Sequence, residues 1–268
     1  MAGTKTLLES FDTFLLDCDG VIWRGSQLIE GVKETLALIR SHNKKILFVT
    51  NNSTKSRMDY VLKFKALGIE ASQDEIFGSS YASAYYIANI LKFPADKKAY
   101  VCGMKGICDE LEEQGIRYFG GPSDDDNFGD MTDILDEAKA DPEVGAVVFG
   151  LDLNINYKKY CKAFTYLHNN PDCHFIATNS DSTFPASEGV LFPGAGSLLS
   201  VLTHSLKREA VVIGKPNKTM LDVIVEKYHL DRDRTCMVGD RLDTDVAFGK
   251  LGGVKTILVM SGKIHFIR

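Results

Sequence analysis

At 268 residues, 44% hydrophobic and 25% charged, the chain has an ordinary globular composition, with enough material for one large domain or two smaller ones around a substantial core. The formal net charge of -5 argues against a nucleic-acid or membrane-surface partner, either of which calls for a basic patch, so any anionic ligand must be met by local charge. No charged segment followed by an apolar one opens the chain and no apolar run approaches membrane-spanning length, which predicts a soluble protein of the cytoplasm or nucleus. Cysteines at positions 18, 102, 108, 161, 173 and 236 form no C-x-x-C pair and read as reduced, structural thiols.

The first element, Phe14-Leu15-Leu16, is a continuous apolar run of the kind that a parallel strand covered on both faces requires. It breaks at once into Asp17-Cys18-Asp19-Gly20. Side chains alternate along an extended segment, so Asp17 and Asp19 point to one side and Cys18 to the other. Two carboxylates that close either raise a pKa or recruit a cation, which predicts a divalent metal or a shared proton. Asp-x-Asp-Gly is also ordinary turn chemistry, expected by chance in roughly one chain in fifteen of this length, so its meaning depends on partners further along.

Apolar residues at Val32, Leu36 and Ile39 predict a crossover helix over 31–40, and Lys45 to Val49 a second strand. That strand runs into Thr50-Asn51-Asn52-Ser53-Thr54-Lys55-Ser56-Arg57, ahead of a helix over 58–67. Hydroxyls and amides at a strand end, with a helix N-terminus behind them, suit a phosphate; they equally suit plain N-capping. A short strand near Ile76 and Phe77 and a helix over 81–91 close this block. From Lys97 strand and helix alternate anew: strands at 99–102, 116–119, 144–149 and 174–177, helices at 105–114 and 157–168. This restart predicts an inserted α/β unit. Within it, Asp124-Asp125-Asp126 reads as a solvated loop, since adjacent carboxylates without spacing make a poor metal cage.

A helix after Phe192-Pro193-Gly194 reaches about His204, and the strand Val211 to Ile213 leads into Gly214-Lys215-Pro216. A lysine between glycine and proline cannot continue a helix comfortably and is held at a strand end. After a helix over 218–228, the strand from Thr235 breaks at Gly239-Asp240 into Arg241-Leu242-Asp243-Thr244-Asp245, repeating the opening theme. Carboxylates are favourable in a first helical turn for their own sake, which accounts for Asp243 better than for Asp240. The six histidines show no metal-ligand spacing, and neither a G-x-x-x-x-G-K-[ST] nor a G-x-S-x-G string occurs.

Taken together, Asp17-Cys18-Asp19-Gly20-Val21, Thr50-Asn51-Asn52, Gly214-Lys215-Pro216 and Gly239 to Asp245 resemble the four ordered motifs of the haloacid dehalogenase superfamily. The longer strings Val49 to Arg57, Asp181 to Pro185 and Met237 to Asp245 resemble its para-nitrophenyl phosphatase and phosphoglycolate phosphatase branch, fungal members especially, with pyridoxal phosphate phosphatase close by. The resemblance implies an α/β fold: a Rossmann-like core with a parallel sheet, at 1–93 and 187–268, and a large inserted α/β cap of the C2 type at 94–186. It implies that Asp17 attacks phosphorus and becomes an aspartyl-phosphate, while Asp19 protonates the leaving alcohol and then activates water. It further implies Mg2+ held by Asp17, the Asp19 main-chain carbonyl and Asp240, with Asp245 orienting the ligands, and a phosphate met by Thr50, Asn51, Asn52 and Lys215.

The same chemistry leaves a phosphomutase or phosphotransferase open, and a non-catalytic phosphoacceptor module as another class; the acid at Asp19 argues against the latter. Pyridoxal phosphatases place at Phe184 a histidine that contacts the pyridine ring. Phe184 lacks that polar contact, which favours small phosphorylated acids such as 2-phosphoglycolate, with para-nitrophenyl phosphate as an artificial substrate; Phe184 as simple core is the plain alternative. Relatives that dimerise through the cap imply a homodimer. They also continue beyond a strand like Ile257 to Met260, so the end at Lys263-Ile264-His265-Phe266-Ile267-Arg268 is expected to be truncated or divergent.

Overall fold

The computed structural model describes residues 7–123, 131–187 and 190–261; the acidic run at 124–126 and the terminal residues 263–268 lie outside them. Two five-stranded sheets are built from strands that we number in chain order: β1 (Thr13–Leu16), β2 (Lys45–Thr50), β3 (Ile76–Gly78), β4 (Lys98–Cys102), β5 (Tyr118–Gly120), β6 (Val144–Phe149), β7 (His174–Ala177), β8 (Val211–Val212), β9 (Thr235–Gly239) and β10 (Lys255–Leu258). The chain divides into two compact units, one of Met1–Asn51, Arg57–Gly78 and Gly214–Arg268, the other of Asn52–Ser56 and Ser79–Ile213.

In the first unit the strand order is β10-β9-β1-β2-β3, and every pairing is parallel. The chain leaves β1 through β2 and β3 on one side and returns through β9 and β10 on the other. The order therefore reverses at β1, and open α/β sheets place their ligands beyond the carboxyl end of such a strand. Alternation divides β1 as its sequence requires: Phe14 and Leu16 join a core with Ile46, Phe48, Tyr60, Phe64, Ile76 and Cys236, while Leu15 is buried on the opposite face. Trp23 closes this core, stacked on Tyr60 at 6.2 Å between centroids and edge-on to Phe64 at 5.0 Å.

In the second unit the order is β8-β7-β6-β4-β5, again all parallel. Its core joins Tyr100, Val147, Phe149, Tyr166 and Phe175 to Leu199 and Leu202 of the helix Ala195–Leu206. Lys159 is wholly buried, its ammonium 3.0 Å from Asp152 and also donating to the Gly121 carbonyl at 3.3 Å. The short strip Asn52–Ser56 belongs to this unit because its neighbours grip it: Thr178 Oγ1 donates to Ser53 Oγ at 3.1 Å, the Gly106 amide to the Thr54 carbonyl at 3.2 Å, and Ser80 Oγ to the Lys55 carbonyl at 3.1 Å. Gly106 must be glycine, since a Cβ there would lie 2.4 Å from the Lys55 backbone.

These boundaries differ from the 1–93, 94–186 and 187–268 expected from the sequence. Residues 79–93 and 187–213 fall in the inserted unit because the helix Ser79–Tyr85 packs on Lys105–Glu113, Leu199 and Leu202 fill the second core, and β8 pairs with β7. The helix expected over 81–91 is α-helical only over Ser79–Tyr85 and continues as a π-helical turn, Tyr86–Ile90. None of the six cysteines forms a disulfide, and all but Cys161 are buried. No helix among the described residues is long and apolar enough to cross a membrane.

Candidate active site

Every element of the candidate site belongs to the first unit, at the carboxyl ends of β1, β2 and β9. Asp17 continues the ladder of β1 through its amide, which donates to the Val238 carbonyl at 2.9 Å, and its side chain is buried. The chain then turns tightly, the Cys18 carbonyl accepting from the amides of Ile22 at 2.8 Å and Trp23 at 3.2 Å. Cys18 points into the core, as alternation requires, and Asp19 is exposed. One Asp19 oxygen is nevertheless fixed, accepting from Trp23 Nε1 at 2.8 Å. Gly20 carries the turn at φ +90°, and a Cβ on it would fall 2.3 Å from Asp240 Oδ2; conformation and space both exclude a side chain.

Lys215 joins the three strand ends. Its buried ammonium donates to Asp17 Oδ1 at 2.5 Å, Asp245 Oδ1 at 2.7 Å and the Val49 carbonyl at 3.0 Å, which matches its three protons. Burial alone would push the Lys215 pKa down, but the carboxylates of Asp17 and Asp245 outweigh it and hold the ammonium well above its ordinary range. Burial raises the Asp17 carboxyl above the usual carboxylate range, with Lys215 working against the rise. Asp245 Oδ2 accepts from the Arg241 amide at 3.2 Å, so both of its oxygens are engaged. Close approach again demands glycine: a Cβ on Gly239 would lie 2.1 Å from the Asp245 Cβ.

Carboxylate oxygens of Asp17, Asp240 and Asp245 lie within 4.8 Å of one another. Asp240 Oδ1 is buried without a hydrogen-bond partner, a costly place for a carboxylate oxygen. Burial, with Asp245 adding, pushes the Asp240 pKa up to about 6. Three carboxylates facing a single ammonium, all donors oxygen and one of them unsatisfied, fit a hard divalent cation such as Mg2+.

The remaining expected residues are placed as follows. Thr50 is buried at the end of β2. Asn51 faces the Lys215 peptide, taking its amide proton on Oδ1 and donating through Nδ2 to its carbonyl, both at 2.8 Å. Asn52 turns into the second unit, where its Oδ1 accepts from the Thr54 amide at 2.9 Å and hydroxyl at 2.7 Å. Phe184 is half-buried on the hairpin Thr183–Ser187/Val190–Pro193 of that unit, edge-on to Phe192 at 6.2 Å. Asp243 is exposed and paired with Arg241 at 2.8 Å, as the first-turn reading of that residue has it. Sequence reasoning missed Trp23 and the Val49 carbonyl. The sole tryptophan of the chain, four residues past Asp19, is the one signal that was available.

A switch point furnished with a buried lysine, three converging carboxylates and an exposed acid two residues past the first is the apparatus of one known class. The haloacid dehalogenase-like hydrolase profile matches residues 14–117 and a HAD-hydrolase-like profile matches 212–265. The chain belongs to the haloacid dehalogenase-like hydrolases, among their phosphoric monoester hydrolases. It is 48% identical over 260 residues to phosphoglycolate phosphatase 2 of Arabidopsis thaliana, covering 96% of this chain and 85% of that one. It is 44% identical over 261 residues to the 4-nitrophenylphosphatase of Schizosaccharomyces pombe, covering 96% and 86%. Among solved structures it is similar to the p-nitrophenyl phosphatase from Archaeoglobus fulgidus, with a TM-score of 0.80, 31% identity, and coverage of 95% of this chain and 88% of that chain.

Proposed function

We propose that the protein hydrolyses small phosphorylated acids of the 2-phosphoglycolate kind through an aspartyl-phosphate on Asp17. The observation that carries this is the Lys215 ammonium held at 2.5 Å from Asp17, beside the unsatisfied oxygen of Asp240. In the first half-reaction an Asp17 oxygen forms a bond to phosphorus as the bond from phosphorus to the leaving oxygen breaks, and Asp19 gives that oxygen a proton. In the second, Asp19 takes a proton from water as the water oxygen bonds to phosphorus, and Asp17 leaves as a carboxylate. Lys215 and Thr50 face the phosphate oxygens, whose charge must be balanced in both transition states. Asp17, Asp240 and the Asp19 carbonyl would hold Mg2+, which would supply neutralisation of phosphate charge. Asp245 keeps Lys215 and the turn at Arg241 in place.

Phe184 supports a small acid over pyridoxal 5′-phosphate, because a phenyl ring offers no polar contact to a pyridine. The identities to phosphatases named for phosphoglycolate and 4-nitrophenyl phosphate support the same choice. The test is kcat/KM with Mg2+ for 2-phosphoglycolate, pyridoxal 5′-phosphate and para-nitrophenyl phosphate. We expect the first to lead and Asp17→Asn to abolish turnover of all three. A clear preference for pyridoxal 5′-phosphate overturns the substrate, and an active Asp17→Asn overturns the covalent route. We also propose a homodimer through the inserted unit, supported by Val190, Leu191 and Phe192 exposed together on its hairpin; a monomer in light scattering would refute it.

A further inference from the structure

Both ends of Lys215 are held at the end of β2, by Val49 within the strand and by Asn51 just beyond its last residue. Its ammonium donates to the Val49 carbonyl, and its peptide unit is clasped by the Asn51 carboxamide through two hydrogen bonds of 2.8 Å. The lysine thus spans the end of β2 from residue 51 back to residue 49. The segment that carries it, 213–217, lies in neither strand nor helix, and Pro216 has no amide proton to offer. Within the segment the Asn217 amide donates to the Gly214 carbonyl at 3.1 Å, while the bonds made to Lys215 itself, at its main chain and at its ammonium, include those from Asn51 and Val49 at the end of β2. A carboxamide offers one oxygen and two N–H groups, and here the oxygen and one N–H are committed to the main-chain N–H and C=O of one residue, Lys215.

We propose that Asn51 is a positioning residue for Lys215, acting on the phosphate through the lysine rather than by touching it. This replaces the direct phosphate contact expected from the sequence, and it rests on the phosphatase reading above. A small misplacement of a preorganised charge is enough to cost orders of magnitude in rate.

The test is a double-mutant cycle with para-nitrophenyl phosphate and Mg2+. Asn51→Ala is expected to lower kcat/KM by roughly a hundredfold in the wild-type background, but by no more than about threefold in Lys215→Met, where there is no charge left to place. Losses that multiply would mean that Asn51 binds phosphate itself and would overturn the proposal. A second arm needs no turnover: the Lys215 amide donates to Asn51 Oδ1, so Asn51→Ala should speed hydrogen exchange across 214–217 by about tenfold or more while leaving β1 unchanged. Unchanged protection also overturns the proposal. Asn51→Asp keeps the acceptor for the Lys215 amide, so it should retain more exchange protection than Asn51→Ala, and it stands in for that arm should the alanine variant not fold. A wild-type protein without phosphatase activity would sink the functional reading and still leave the exchange arm to decide the clasp.

Discussion

Replacing Lys215 by methionine keeps the unbranched stem of the side chain, ends it one atom short, and removes one charge from a cluster of four. That charge lies 2.5 Å from Asp17 and 2.7 Å from Asp245, with all three side chains buried. Breaking a buried ion pair costs about 3–5 kcal/mol, since the partner is left uncompensated, and here one cation serves two carboxylates. At about 2–4 °C per kcal/mol for a chain of this size, the melting temperature in chelator should fall by about 10 °C or more. Millimolar Mg2+ should restore more of that loss in the variant than it adds to the wild type, because the variant's three carboxylates have lost the ammonium they faced. Activity should not return with stability: losing one preorganised donor to the phosphate costs about a hundredfold to a thousandfold in kcat. Thermal unfolding with and without Mg2+, alongside steady-state rates on para-nitrophenyl phosphate, separates the two effects. A melting temperature within about 2 °C of wild type in chelator, with a rate within about fivefold, would refute the electrostatic account of this cluster.

Asp240 predicts a pH dependence of opposite sense to most carboxylates. Its pKa rises on folding from 3.8 to about 6, so its contribution is present below 3.8 and is lost as pH rises through about 6. Without metal, the wild-type melting temperature should fall relative to Asp240→Asn across that window; a constant difference would count against the burial argument. Asp19→Asn should slow alkyl phosphates more than para-nitrophenyl phosphate, whose phenolate leaves with little protonation, and Trp23→Phe, which removes the N–H on Asp19, should show the same pattern more weakly. Equal losses on both substrates would argue against acid catalysis at Asp19. Gly20→Ala should cost on the order of 1–3 kcal/mol from backbone strain alone and should raise the Mg2+ needed for half-maximal rate, because the added methyl collides with Asp240; an unaltered Mg2+ titration would show that the turn gives way instead.

The parallel sheets were legible because continuous apolar runs such as Phe14-Leu15-Leu16 and Val144 to Phe149 admit little else, while the convergence of Asp17 with Asp240 was implied by the resemblance of the four ordered motifs to a known superfamily. The unit boundary was not legible. β8 has two residues and owes its place to pairing with β7 some thirty-five positions earlier, a contact between segments that leaves no local pattern. The hairpin Trp23–Arg24/Gln27–Leu28 is likewise too short for alternation to register. Asn51 was found as a site residue for its amide, but sequence fixes only what a side chain can donate and accept, not which group it meets. Its partner, the Lys215 peptide, lies 164 positions away.

The indole on Asp19 also makes the protein its own optical instrument. Trp23 is the single tryptophan in 268 residues, buried, hydrogen-bonded to Asp19 and with the Lys63 ammonium 3.8 Å from its ring centroid. All indole emission therefore originates beside the proposed acid, and the emission of an indole follows the electric field across its ring. Building negative charge on Asp17, two residues from Asp19, changes that field. Formation and decay of the aspartyl-phosphate should then be readable by stopped-flow fluorescence on unlabelled protein, without a chromogenic substrate and without a tryptophan background to subtract.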